Sequence, residues 1–248
     1  HNQSLERALA IVDAAAAAGV DALKLQTYTA KTMTLDIADG EFTIRDSQSL
    51  WAGEKLYSLY EKAHTPWEWH QPIFDRCRKH GIIPFSTPFD ATSVDFLESL
   101  EVKIYKIAAF ENGDIPLLKR VAATGKPVII SLGMIGLEEI AEAVSTLDNN
   151  GCPEITLLKC TSTYPASPEN TNLLTIPDLQ ARFPHCRVGL SDHTLGIGVA
   201  LGAIALGAEV IEKHFTLSRA DGGVDSAFSM EPAEMKQLVS EAARVAAA

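Results

Sequence analysis

No basic stripe runs along this chain. Acidic residues outnumber basic ones 32 to 21, for a formal net charge of −11, and they are spread over the whole length. A nucleic-acid partner is excluded on that ground, because binding a phosphate backbone needs clustered lysine and arginine. The balance leaves small anionic substrates open, since their site needs only a few local cations. No apolar stretch has the length of a membrane span, and no signal-peptide pattern opens the chain. Cysteine is scarce: Cys77, Cys152, Cys160 and Cys186 form no C-x-x-C pair and no framework spacing. A disulfide scaffold is therefore not expected, and the expected setting is the reduced cytoplasm. The glycine-rich turn that a doubly wound dinucleotide-binding fold carries after an early strand is missing as well.

What is present is a regular alternation of helical and short apolar segments over 248 residues, 46% of them hydrophobic. That length and content fill a substantial core, as one barrel or two small domains. Residues 3–18 are alanine-rich and helical, and Gly19 ends them. Strand-like runs follow at 22–26, 82–85, 104–107, 127–130, 155–158, 188–190 and 209–212, with helical segments between them at 67–80, 90–100, 115–123, 137–147, 173–183 and 198–206. Pro177 is expected to break the fifth of these, and a helix over 232–247 closes the chain. Residues 27–66 are long and irregular apart from a short helix at 56–63, the pattern of a binding loop or lid. Apolar strands alternating with helices imply an α/β fold with a parallel sheet. A helix opens the chain with no strand before it. The simplest architecture is a (β/α)8 TIM barrel over residues 1–248 whose first strand lies upstream of His1.

In such a barrel the site lies at the C-terminal ends of the strands. Read in order, those ends carry Lys24 and Gln26, Ser86 and Thr87, Lys106 and Glu111, Ser131, Lys159 and Ser162, Ser191 and His193, then Lys213 and His214. Lysines supply charge, and serine and threonine supply directed donors, for a phosphate or carboxylate. Strand alternation keeps some of them out of the mouth. Lys24 and Lys106 sit at the last strand positions and are the stronger candidates, whereas Lys159 and Lys213 point equally well toward helices. A lone histidine near a strand end is ordinarily a structural hydrogen-bonding residue. His193 and His214, past the ends of successive parallel strands, stand side by side, and a divalent-metal pair and a structural pair are equally good readings. Asp192 either orients the His193 loop or caps the next helix. Asp225 is equally well a turn residue. His64, His70, His80 and His185 read as surface or packing residues, and Tyr57, Trp67 and Trp69 as packing for the long loop. His1 directly follows the inferred missing strand.

Seven stretches match a known family: KLQTY at 24–28, FSTPFD at 85–90, YKIAAFE at 105–111, GKPVIISLGM at 125–134, LLKCTSTYP at 157–165, GLSDHT at 189–194 and EKHFT at 212–216. The chain resembles the sialic acid synthases over nearly its whole length. These enzymes condense phosphoenolpyruvate with an N-acylated amino sugar to give nonulosonic acids. Residues 50–70 and 222–232 are similar to the pseudaminic acid synthase branch, and proteins named spore coat polysaccharide biosynthesis protein E belong to the same family. The resemblance implies a TIM barrel holding Mn2+, or another divalent ion such as Mg2+ or Co2+, on His193 and His214. It implies phosphoenolpyruvate bound by Lys24, Thr87, Lys106, Ser131, Ser162 and Ser191 with Glu111 nearby, and sugar contacts from Gln26, Tyr164 and Asp225. A homodimer is implied too. Three departures stand out. Ala109 occupies a position where serine is common, the glutamate of the first strand is absent, and so is the C-terminal antifreeze-like domain, whose arginine reaches the partner subunit's site. Pseudaminic acid synthesis is the first expectation, with N-acetylneuraminate or legionaminate synthesis, or a non-catalytic sugar-binding paralogue, as alternatives.

Overall fold

A computed structural model describes residues 1–47 and 49–248. Its centre is a parallel sheet of seven strands in chain order: β1 (Ala22–Thr27), β2 (Ile83–Pro88), β3 (Tyr105–Ile107), β4 (Val128–Leu132), β5 (Ile155–Cys160), β6 (Arg187–Asp192) and β7 (Val210–Lys213). Each consecutive pair is joined by a helical crossover, which is what parallel pairing requires. The sheet curls until its first and last strands face each other. Lys24 Nζ on β1 lies 3.2 Å from Glu212 Oε2 on β7. Among the described residues β1 and β7 do not pair directly. An apolar slot separates their edges, lined by Leu23, Leu25 and Ile211 and by Val12, Met235 and Leu238 from the first and last helices.

The outward side of the sheet is covered by helices α1 (Leu5–Ala18), α4 (His70–Lys79), α5 (Ala91–Ser99), α6 (Ile115–Ala122), α7 (Leu137–Asn149), α8 (Thr175–Arg182), α9 (Gly198–Ala205) and α10 (Pro232–Ala246), while α2 (Ala30–Met33) and α3 (Leu56–Ala63) pack on each other in the long segment after β1. Phe74, Leu97, Leu118, Val121, Leu147, Leu157 and Val188 form the continuous core between the two layers. Each such side chain contributes about 1.5–3 kcal/mol by leaving water. Period-2 alternation divides each strand between this core and the interior. In β3, Tyr105 turns outward and gives its hydroxyl to Glu98 at 2.7 Å, while Lys106 turns inward. Helix ends follow local chemistry. Ser4 accepts from the Arg7 amide, Asp90 accepts from the Thr92 and Ser93 amides, and Gly19 closes α1 at φ +87°, a left-handed conformation that costs glycine little.

The structure extends most strands beyond their apolar runs. β2, β5 and β6 continue through Ser86, Thr87, Cys160, Ser191 and Asp192, because the ladder persists where the side chains become polar near the mouth. Pro177 does not break α8. It occupies the first helical turn, where its missing N–H has no intrahelical partner to lose. The four cysteines are free thiols, and among the described residues no helix is long and apolar enough to cross a membrane.

Candidate active site

The floor of the mouth is a charged cluster centred on Glu212. Its side chain projects inward from β7 and meets both Lys24 at 3.2 Å and Lys106 at 3.7 Å. Ser191, its register partner on β6, donates to Glu212 Oε1 at 2.9 Å. Lys106 is 1% exposed and donates to Ser131 Oγ at 2.6 Å and to its neighbour's carbonyl on Ile107 at 2.9 Å. Burial pulls its ammonium down to about 8, against the opposing pull of Glu212. Burial also works against the charge of Glu212, but the fields of Lys106 and Lys24 and the Ser191 hydroxyl hold its carboxyl well below the usual carboxylate range. One carboxylate thus serves two lysines, and the cluster retains positive charge for an incoming anion. Sequence reasoning placed Lys24, Lys106, Ser131 and Ser191 at this mouth but missed Glu212. The signal lay in the period of two, which sets Glu212 opposite Ser191 and in the layer of the lysines.

Above the floor, the His193 and His214 rings face each other with centroids 5.4 Å apart. His193 Nδ1 lies 3.1 Å from the Thr161 carbonyl, and His214 Nδ1 lies 3.4 Å from Asp225 Oδ2. Those acceptors engage Nδ1 of each ring and leave Nε2 of each for a ligand. Burial, with the neighbouring His214, lowers the His193 imidazole to about 4, so it is neutral at physiological pH. Burial opposes the charge of Asp225, but its bond to His214 and the fields of His214, His193 and Lys24 keep its carboxyl low. No group of three His, Cys, Asp or Glu side chains gathers into a metal cage among the described residues. Two imidazoles beside open space fit a divalent ion that takes its other ligands from water and substrate, not a closed structural zinc.

The wall is aromatic. Tyr164 meets His193 edge-on at 4.6 Å, and Phe228 packs against both imidazoles. The long loop supplies Trp51, whose indole N–H donates to the Val224 carbonyl at 3.0 Å and whose ring lies 6.4 Å from Tyr164. That contact ties the loop to the segment carrying Asp225. Gln26, Tyr28, Tyr60 and Glu111 line the same cavity, which has a volume of about 1880 Å³ and runs on into the slot between β1 and β7. Two polar atoms here are buried without a partner: Thr87 Oγ1 and Glu111 Oε2. Such groups are costly unless a ligand completes them. Burial raises the Glu111 carboxyl to about 7, even though Lys106 pulls the other way. The loops after β3, β4 and β5 converge beside it. A Cβ on Gly133 would lie 2.1 Å from Ser162 Oγ and 3.0 Å from Ala109 Cβ, so a side chain here would push the Ser162 hydroxyl out of its place. Asn112, absent from the sequence reading, fixes this approach through bonds to the Ser131 and Gly133 carbonyls at 3.2 and 2.9 Å.

Other candidates lie elsewhere. Lys159 bonds to Thr161, away from the Lys24–Glu212–Lys106 cluster. His70 is buried against Thr27 at 2.8 Å, His80 pairs with Asp13, and His185 with Asp148. His1 meets Trp69 edge-on at 5.6 Å and Thr65 Oγ1 at 3.2 Å. Trp67 stacks on Phe96 at 4.6 Å. His70 and Trp67 hold packing in place, His80 and His185 form surface pairs, and His1 lines the edge of the cavity.

The curled parallel sheet is shared with solved proteins. The N-acetylneuraminic acid (sialic acid) synthetase of Leptospira borgpetersenii, solved in complex with citrate, superposes with a TM-score of 0.87 at 33% identity, over 100% of this chain and 80% of that one. Pseudaminic acid synthase of Campylobacter jejuni is 43% identical over 239 residues, 96% of this chain and 69% of that protein. N,N'-diacetyllegionaminic acid synthase of the same species is 38% identical over 244 residues, 97% of this chain and 72% of that protein. The NeuB family matches residues 11–248, and the chain belongs to it, the family of the sialic acid synthases.

Proposed function

We propose that this site condenses phosphoenolpyruvate with the open-chain form of an N-acylated amino sugar, giving a nine-carbon nonulosonic acid and inorganic phosphate, with pseudaminic acid the product. One observation carries the chemistry. Glu212, Lys24, Lys106, Ser131 and Ser191 form a charged, hydroxyl-rich floor beneath the paired rings of His193 and His214. The choice of acceptor rests on the 43% identity to a pseudaminic acid synthase and on the aromatic wall of Trp51, Tyr164 and Phe228. That wall suits a 6-deoxy sugar with two acetamido methyls better than a more hydroxylated one. A further strand in the apolar slot between β1 and β7 would complete a (β/α)8 barrel.

The residues divide the work as follows. Lys24, Lys106, Ser131 and Ser191, with Thr87 and Ser162, hold the phosphate and carboxylate and so fix carbon 3 of phosphoenolpyruvate against the aldehyde carbon. Gln26, Tyr164 and Asp225 orient the sugar. A divalent ion, Mn2+ in this reading, would sit on His193 and His214 and supply Lewis-acid polarisation of the aldehyde oxygen. Carbon 3 uses its π pair to form the new C–C bond, and carbon 2 becomes oxocarbenium-like. Water adds to carbon 2 and gives a proton to Glu111. The carbon–oxygen bond to phosphate then breaks: phosphate leaves with the electron pair and takes the proton back from Glu111, while the carbon 2 hydroxyl becomes the keto group and its proton passes through solvent to the alkoxide left from the aldehyde. A carboxyl near 7 is matched to both halves of that exchange.

Two measurements test this reading. With phosphoenolpyruvate carrying 18O at its bridging oxygen, the label should appear in the released phosphate, and only when the acceptor is present; label retained in the sugar product contradicts C–O cleavage. For Glu111→Gln, kcat should fall by about 10²–10⁴-fold. The variant should also lose the wild-type limb on which rate rises with pH through about 7, where the base form appears. A pH profile identical to wild type would remove Glu111 from the proton transfers.

A further inference from the structure

Directly behind the Ser191–Glu212 pair lies a second cross-strand pair that the proposed chemistry does not use. Register sets Asp192 of β6 opposite Lys213 of β7, one position beyond Ser191 and Glu212. Alternation turns this second pair to the outer face of the sheet. Both side chains are 1% exposed, and Lys213 Nζ lies 2.8 Å from Asp192 Oδ2. The ammonium also donates to the Thr194 carbonyl at 2.7 Å and the Gly196 carbonyl at 3.1 Å, which uses its three N–H groups. Asp192 Oδ1 accepts from the Thr194 amide at 2.9 Å and from the Thr194 hydroxyl at 2.8 Å. The 192–196 loop is thus wrapped around one lysine of the neighbouring strand.

The two charged residues are the immediate chain neighbours of the two histidines. Asp192 precedes His193, and Lys213 precedes His214. We propose that the Asp192–Lys213 pair is a positioning device that fixes the separation and ring orientation of His193 and His214, and through them the affinity for a divalent ion. The proposal rests on the metal reading of the imidazole pair given above. Stability alone is a weak reason for such a pair, since taking two charges out of water offsets most of their attraction, and an apolar pair of similar volume is often as stable. Registry between two elements is the better-attested use. Here the elements are the two strand ends that carry the rings. Lys213 holds the backbone on the far side of His193 through Thr194 and Gly196, while the His193 carbonyl accepts from the Ala166 amide at 3.0 Å. The ring is left one hydrogen bond, to the Thr161 carbonyl, to settle its tautomer.

The test uses the full-length gene product with histidine labelled by 15N. Three variants are compared with wild type: Lys213→Met, the double variant Asp192→Asn/Lys213→Met, and His214→Ala. In the double variant the carboxamide introduced by Asp192→Asn keeps an acceptor for the Thr194 amide without leaving a buried charge unpaired. Metal-free wild type should show His193 fixed as its Nδ1–H tautomer in long-range 1H–15N spectra. The double variant should melt cooperatively, show averaged His193 ring nitrogens, and bind Mn2+ at least tenfold more weakly in electron paramagnetic resonance titrations, about the lower end of what orienting partners of a ligand contribute. Wild-type tautomer and Mn2+ affinity in the folded double variant would overturn the proposal. So would failure of both lysine variants to fold, which would make the pair a stability element. If wild type itself binds no Mn2+, or His214→Ala binds it equally well, the metal reading falls. The ring spectra then decide the positioning role alone.

Discussion

His214→Ala should reduce turnover by more than about a hundredfold while leaving the fold intact. Removing a partner that merely orients a metal ligand costs about 10–100-fold in affinity or activity, and removing one of only two ring ligands exceeds that. The side chain is partly exposed, at 24%, and sits past the end of β7. Its loss opens little of the core: the ring touches His193 and Phe228, and its Nδ1 faces Asp225. Circular dichroism and the thermal melt should therefore match wild type. Mn2+ binding should be weakened, and added Mn2+ should restore only part of the rate. Near-normal turnover in metal-defined buffer would remove the metal role from the imidazole pair and return both histidines to structural duty.

Glu212→Gln carries the second large effect, and it falls on stability. Breaking a buried charge pair by neutralising one partner costs about 3–5 kcal/mol, because the remaining charge stays buried. Here Lys106 is the charge left behind, with Lys24 beside it. For a chain of this size about 3 kcal/mol lowers Tm by roughly 6–12 °C. The sign with pH is fixed by the depressed Glu212 carboxyl. A carboxylate favoured in the folded state stabilises above its unfolded pKa, and that contribution is lost as pH falls toward its folded value. The Tm gap between wild type and variant should be full above about pH 5 and should narrow below about pH 4. Phosphoenolpyruvate supplies the missing counter-charge, so it should raise Tm more in the variant than in wild type. An unchanged Tm would mean that Glu212 does not hold the two lysines. A smaller ligand-induced shift would mean that the anion does not bind among them.

Much of this site was legible from residue order. Apolar strand cores of four or five residues between amphipathic helices define a parallel sheet, and the ends of those strands name the mouth. Lys24 and Lys106 turn inward by the period of two and not because they end their strands: β1 runs on to Thr27 and β3 to Ile107, while Lys213, which does end β7, turns outward to Asp192. The structure brings His193 and His214 together as their strand-end positions require. Three features escaped the sequence. Glu212 looked like part of a motif whose payload was the histidine, yet its charge organises the floor. Trp51 lies in a long loop with no period, so nothing local says that its indole reaches Val224. Asn112 acts through backbone carbonyls of another loop, which leave no trace in composition. Strand ends were drawn short for a related reason. The apolar run stops where the interior turns polar, but the backbone ladder continues.

The most direct test of the account is phosphate release from phosphoenolpyruvate by the full-length gene product with Mn2+, in parallel with 2,4-diacetamido-2,4,6-trideoxy-altrose and with N-acetylmannosamine. Release should be rapid with the first sugar, slight with the second and absent without an acceptor. Release with N-acetylmannosamine alone would contradict the pseudaminic reading and move the chain to the neuraminate branch. Silence with both, in folded and metal-loaded protein, would contradict the proposed condensation with either sugar.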